Sequence, residues 1–147
     1  MIVTRIPLRV SLFGGGSDRP HFYHHTPGKV LNFSINRYMF VIGRKQVEPI
    51  KNRFLIKWAE INAANHIDGL EHPIFRSALS HFEFNDPLEV ITFSDVDANT
   101  GLGSSSAFAV GISLLLSTYQ QKRLTKSEIA STASNIEIDI AGRNIGK

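Results

Sequence analysis

No cysteine occurs among the 147 residues, which excludes disulfides, thiolate zinc sites and thiol nucleophiles and leaves the redox compartment undecided. No apolar run approaches the length of a bilayer span, and Met1-Ile2-Val3-Thr4-Arg5 lacks the layout of a signal peptide. A membrane partner is therefore not expected, and a cytoplasmic location is the default. Blocks of like charge are missing as well: no run of Lys or Arg exceeds two, and the formal net charge is +3. That balance does not force a nucleic-acid footprint and suits a small anionic ligand equally well. There is no internal repeat, low-complexity tract or linker.

What is present is a chain that is 42% hydrophobic, enough for one globular domain with a sizeable core. Ile2 to Phe13, Val30 to Gly43, Arg53 to Trp58 and Leu88 to Phe93 read as strands, the second through the alternation of Leu31, Phe33 and Ile35 with Asn32, Ser34 and Asn36. Gly14-Gly15-Gly16-Ser17-Asp18-Arg19-Pro20 between the first two is a loop. Pro73 suits the first position of a helix with Ile74, Phe75, Ala78, Leu79 and Phe82 on one face, ended by Phe84-Asn85-Asp86-Pro87. Thr125-Lys126-Ser127-Glu128 has capping-box spacing and starts a helix whose stripe is Ile129, Ala133, Ile136 and Ile140. On an α-helix, Glu137 and Asp139 flank that stripe on opposite edges and cannot act as an adjacent carboxylate pair. Strands followed by helices predict a single α+β domain.

Gly101-Leu102-Gly103-Ser104-Ser105-Ser106-Ala107 runs directly into the apolar segment Phe108 to Leu116. The first N–H groups of a helix have no intrahelical acceptor, and the helix dipole adds positive charge at the same end. Phosphate oxygens are favoured there. Two glycines let the main chain approach closely and three serines add donors, which is more than a single capping serine requires. Familiar nucleotide loops do not fit. Gly28-Lys29 lacks the earlier glycine of a Walker A loop. Gly14 and Gly16 begin a dinucleotide fingerprint, but Arg19 stands where the third glycine belongs, and Gly101 and Gly103 are followed by Ser106.

Pro7-Leu8-Arg9-Val10-Ser11-Leu12-Phe13-Gly14-Gly15-Gly16-Ser17-Asp18 together with Gly101-Leu102-Gly103-Ser104-Ser105-Ser106 resemble motifs of the galactokinase, homoserine kinase, mevalonate kinase and phosphomevalonate kinase superfamily, the GHMP kinases. The Gly-Gly-Gly-Ser-Asp loop, Leu31 to Tyr38 and Asp68 to Pro73 are most similar to the branch of sugar kinases related to D-glycero-D-manno-heptose 7-phosphate kinase. The resemblance covers nearly the whole chain. It implies an α+β fold of the ribosomal protein S5 domain 2 type over residues 1–147, forming the N-terminal part of an ATP-dependent kinase that phosphorylates a hydroxyl of a sugar or sugar phosphate. By the same resemblance, Gly101, Leu102, Gly103, Ser104, Ser105 and Ser106 hold the ATP phosphates, and Ser105 and Glu137 hold magnesium. Gly15, Gly16, Ser17 and Asp18 bind the acceptor, and Arg9 is the catalytic residue that stabilises transferring phosphoryl charge. On the residues alone, alternatives stay open: Arg9 as a surface strand residue, Asp18 as a turn aspartate bonding its own backbone, and Glu137 as a solvated flank residue.

Departures from the family pattern carry expectations of their own. Asp97-Ala98-Asn99-Thr100 has no proline and brings an acid close to the phosphates, while Arg19 and Lys29 add positive charge near the acceptor loop and favour a phosphorylated or acidic sugar. Relatives continue past the segment matching Ile136 to Lys147 to their catalytic aspartate and a second domain. The chain is accordingly expected to be the front of a kinase with no assignable base, inactive alone, exposing apolar surface and self-associating into a possible homo-oligomer. A non-catalytic nucleotide- or sugar-binding module is the competing class. RNA binding is disfavoured, because aromatic and basic residues do not interleave on any one strand. His21, His24 and His25 lack a fourth metal ligand and are expected to line or close the sugar site, while His66, His72 and His81 carry no functional signal.

Overall fold

Strand β1 (Ile2–Phe13) and strand β2 (Leu31–Lys45) form a long antiparallel hairpin, and β5 (Leu88–Ser94) continues the sheet from the far side of β2. Two short strands, β3 (Phe54–Lys57) and β4 (Ile61–Ala64), complete the order β1-β2-β5-β3-β4, with β3 and β5 the parallel pair. Helices α1 (Pro20–Tyr23), α2 (Pro73–His81), α3 (Ser104–Tyr119) and α4 (Lys126–Asn135) follow in chain order, and a π-helical turn, Ile136–Ile140, extends α4. The computed structural model describes residues 1–18, 20–47, 51–97 and 100–140, with the side chains of residues 20, 139 and 140 outside that description.

The α+β expectation holds: a mixed sheet carries its helices on one face. The inward residues Leu8, Val41, Ile56, Leu88 and Val90 are buried against Phe75 and Leu79 of α2 and Ile112, Leu115 and Leu116 of α3. Two glycines set how closely α3 lies on the sheet. A Cβ at Gly111 would stand 2.7 Å from Val41 Cγ2, and one at Gly43 would stand 2.6 Å from Leu115 Cδ1. Thr4 fixes the same contact, its hydroxyl lying 3.2 Å from the carbonyl oxygens of both Val41 and Gly111. Among the described residues no helix is long and apolar enough to cross a membrane.

Differences from the sequence reading have physical causes. β4 was not foreseen, because Ile61-Asn62-Ala63-Ala64 is four residues long and half alanine, short of any periodic signal. The alternation of Leu31 and Phe33 makes a strand without burying it: with Leu12 and Phe13 they lie exposed at the end of the hairpin next to its connecting loop. The apolar stripe of α4 is buried at Ile129, Ala133 and Ile136. Its continuation is a π turn rather than an α-helix, however, and the wider turn changes which residues face inward. Asp139 and Ile140 side chains lie outside the described residues.

Candidate functional site

The site is assembled at the N-terminal end of α3. Gly101 and Gly103 adopt left-handed φ values of 75° and 76°, a region that costs other L-residues steric strain. Gly103 is the N-cap and has no side chain to cap with, so the N–H groups of the first turn, residues 104–106, are not satisfied by the helix itself. The first turn contains no acidic residue. An anion is thus favoured by geometry and by the helix dipole together.

Arg9 joins this loop twice. Its backbone N–H donates to Leu102 O at 3.0 Å, docking the loop on the free edge of β1. Its side chain lies over Gly103, with Cγ 3.2 Å and Cζ 3.4 Å from where a Cβ would be. The pairing of β1 with β2 explains why Arg9 is turned this way: it passes from Pro7↔Tyr38 directly to Arg9↔Ser34, a bulge that redirects the strand. Arg9 is therefore not a plain surface strand residue. Its guanidinium sits where the dipole of α3 already favours negative charge.

Glu137 settles another open alternative. It is 2% exposed, the one charged residue buried among the described residues, and Ser105 Oγ donates a short hydrogen bond to its Oε1. The solvated-flank alternative is overturned, because the π turn carries this side chain inward against the first turn of α3. One carboxylate and one hydroxyl are a partial oxygen set for a hard divalent cation, to be completed by phosphate oxygens and water. The donor chemistry fits magnesium. No group of three or more His, Asp or Glu side chains able to hold a metal occurs among the described residues, so a cation here would depend on its ligand.

Beside Ser104 and Ser105 a cavity of about 590 Å³ opens, lined among others by Trp58, His72, Phe93, Asp97 and Phe108. His72, which carries no signal in the sequence, is a wall of this cavity and also the N-cap of α2, its Nδ1 accepting from Phe75 N at 3.2 Å. Its lining and capping position is a feature the sequence does not signal. The reason it was missed is that its neighbours come from β3 and α3, remote in sequence. Asp97 lines the same cavity, so the acid expected near the loop is there.

The glycine loop after β1 is a separate, braced structure. Gly14 and Gly16 have φ of 82° and 97°. Asp18 Oδ1 accepts from Gly16 N at 2.9 Å, and Ser17 Oγ donates to Gly14 O (2.8 Å) and Lys29 O (3.1 Å). A Cβ at Gly28 would fall 2.0 Å from Ser17 O, so Pro27-Gly28-Lys29 is packed against this loop by necessity. Asp18 is thus a turn aspartate, and Gly15 has open space around it. Among the described residues the hydrogen bonds of this loop run within it and to Lys29 O, and Arg9 is the member of the early motif that reaches residues 101–106. Ser106 shares the first turn of α3. His21, His24 and His25 are exposed, and Arg19 lies outside the described residues.

Comparison with known proteins shows the family and the fold. The model of the GHMP kinases N terminal domain matches residues 72–147. A D-glycero-alpha-D-manno-heptose 7-phosphate kinase of Campylobacter jejuni is 29% identical over 96% of this chain and 44% of its own length. A mevalonate kinase of Saccharolobus solfataricus is 26% identical over 97% of this chain and 46% of its own. The chain thus spans less than half the length of these curated relatives. The crystal structure of a D-glycero-D-manno-heptose 1-phosphate kinase from Bacteriodes thetaiotaomicron superposes with a TM-score of 0.81, 24% identical over the whole chain and 51% of its own, a likeness of fold.

Proposed function

The chain belongs to the GHMP kinase family, and from that premise we propose that it forms the nucleotide-binding part of an ATP-dependent kinase acting on a hydroxyl of a sugar or sugar phosphate. The observation that carries this reading is the left-handed glycine loop that seats the Arg9 guanidinium at the N-terminus of α3 beside the cavity. The triphosphate lies along residues 101–106, accepting from first-turn N–H groups and serine hydroxyls, and the base enters the cavity between Trp58, His72 and Phe108. Ser105 and Glu137 hold magnesium, which when bound neutralises phosphate charge. Arg9 stabilises the charge that develops on the transferred group, a role for which a fixed cation at a helix N-terminus is suited. Gly15, Gly16, Ser17 and Asp18 shape the acceptor side.

The sugar-phosphate assignment is supported by the Campylobacter relative's activity and by the Lys29 and Arg19 charges beside the acceptor loop. Arg19→Ala with Lys29→Ala should erode the preference for phosphosugar over free sugar; an unchanged ratio of kcat/KM values overturns that assignment. Binding without turnover is the second reading. It is favoured by the loop after β1, whose Asp18 carboxylate already accepts from Gly16 N within its own turn. Isothermal calorimetry tests the shared nucleotide step: Ser105→Ala with Glu137→Ala should weaken magnesium-ATP binding by about tenfold or more, the scale of a lost hydrogen bond to a charged group. Wild-type affinity in that variant removes the nucleotide assignment. Turnover with an aldose phosphate then separates kinase from binding module.

A further inference from the structure

We propose that His72 is a positioning residue that builds the base-binding wall, holding Trp58 and Phe108 at fixed angles while capping α2; the inference rests on the nucleotide reading above. Helix N-caps are ordinarily Ser, Thr, Asp or Asn, whose short side chains satisfy an N–H and do little else. A histidine that caps through Nδ1 also brings an aromatic ring that can pack against two neighbours. Here the ring meets Trp58 nearly perpendicularly, with centroids 4.9 Å apart and an interplanar angle of 84°, and meets Phe108 at 4.8 Å and 60°. Both are edge-to-face arrangements of the kind aromatic pairs prefer.

The three rings come from three elements. Trp58 lies one residue beyond β3, a four-residue strand whose turn to β4 is closed by Trp58 N donating to Glu60 O. So short an element leaves the indole's direction to its side-chain neighbours. Phe108 is one turn into α3 from Ser104, packed in the core and lining the cavity from that side. His72 is anchored independently of both: Asn62 Oδ1 on β4 accepts from Glu71 N at 3.0 Å, and Phe75 N holds the imidazole. The ring therefore transmits the position of α3, and with it the phosphate loop, to the indole at the opposite wall. A flat base entering the cavity meets an indole and a phenyl ring whose mutual geometry is set before it arrives, which lowers the ordering cost of binding.

The test compares magnesium-ATP with magnesium-tripolyphosphate, which carries the phosphates but no base. His72→Asn keeps a capping acceptor and removes the ring; His72→Phe keeps a ring and removes the acceptor. For His72→Asn, calorimetry should give ATP binding roughly fivefold weaker, the scale of one lost aromatic pair, with tripolyphosphate affinity unchanged. His72→Phe should keep ATP affinity within about twofold and show its effect as a lower Tm, the signature of a lost cap. Trp58 is the chain's single tryptophan, so quenching of its emission by ATP but not by tripolyphosphate is a second expected result that needs no variant. The inference is overturned if His72→Asn binds ATP as the wild type does, if ATP and tripolyphosphate weaken by the same factor, or if ATP leaves the indole emission unchanged. If the wild type binds tripolyphosphate and ATP equally well, the phosphate loop stands and the base wall falls. If it binds neither, the nucleotide reading falls and takes this inference with it.

Discussion

Gly101 and Gly103 share a backbone conformation but not a neighbourhood, and this separates two effects that the sequence shows as one Gly-Leu-Gly motif. Gly101 has open space around its Cβ position, whereas a Cβ at Gly103 meets the Arg9 side chain at 3.2 Å. Both alanine variants should lose about 1 kcal/mol of stability from left-handed strain. Only Gly103→Ala should also displace Arg9 and weaken magnesium-ATP binding. Thermal unfolding paired with calorimetry checks this, and equal affinities for the two variants would contradict the placement of Arg9. Glu89 provides a pH prediction. Its hydrogen bond to Lys57, aided by Arg44 and opposed by partial burial, holds its carboxyl below the ordinary value of 4.5. A carboxyl depressed in the folded state contributes stability that is present above the unfolded value and lost as pH falls through the folded one. Stability should therefore drop with acidification below about pH 4.5, and Glu89→Gln should flatten that drop in denaturant titrations. At this scale the glycines, serines and Arg9 were legible because their chemistry is local. The ring contacts of His72 and the inward turn of Glu137 were not, because they depend on Trp58 and Phe108 in the one case and on Ser105 in the other, partners from other elements of the fold.

Among the elements, α4 was the most legible at its start and the least at its end. Thr125 Oγ1 accepts from Glu128 N while Glu128 accepts from Thr125 N, the reciprocal box that the four-residue spacing foretells. Thr125→Ala should cost about 1 kcal/mol, read as a shift in the denaturant midpoint with an unchanged m-value. Glu128 is held below its ordinary range by the same backbone and side-chain bonds from Thr125. The Glu128 half of the cap is thus present at neutral pH and weakened in acid, while the Thr125 Oγ1 half persists, and Glu128→Gln should be less acid-sensitive than the wild type. The end of α4 offers no comparable signal, since a change from α to π pitch depends on how Ile136 and Glu137 meet α3 rather than on spacing along the chain. The α2 cap at His72 is a middle case: Pro73 marks the start, yet histidine is not a residue one reads as a cap.

For the molecule as a whole, the strand-then-helix order made the α+β class legible, while the strand order required long-range pairing that no local pattern records. The end of the hairpin next to its connecting loop gathers Leu12, Phe13, Leu31 and Phe33, and Phe13 is 69% exposed. A contiguous apolar surface of this kind favours association in water. Phe13→Ser with Phe33→Ser should reduce concentration-dependent self-association in sedimentation velocity without lowering Tm, since neither ring is buried. A wild-type chain that stays monomeric at high concentration would remove the patch as the cause.

On the reading proposed above, Arg9 belongs by its strand to the loop that shapes the acceptor side and by its N–H and guanidinium to residues 102 and 103. A phosphate ligand and an acceptor that both contacted Arg9 should bind with coupled affinities, checked by titrating ATP with and without a sugar phosphate. Whatever ordering the first imposes on Arg9 is already complete when the second arrives, and thermodynamic reciprocity requires each to change the other's affinity by the same factor.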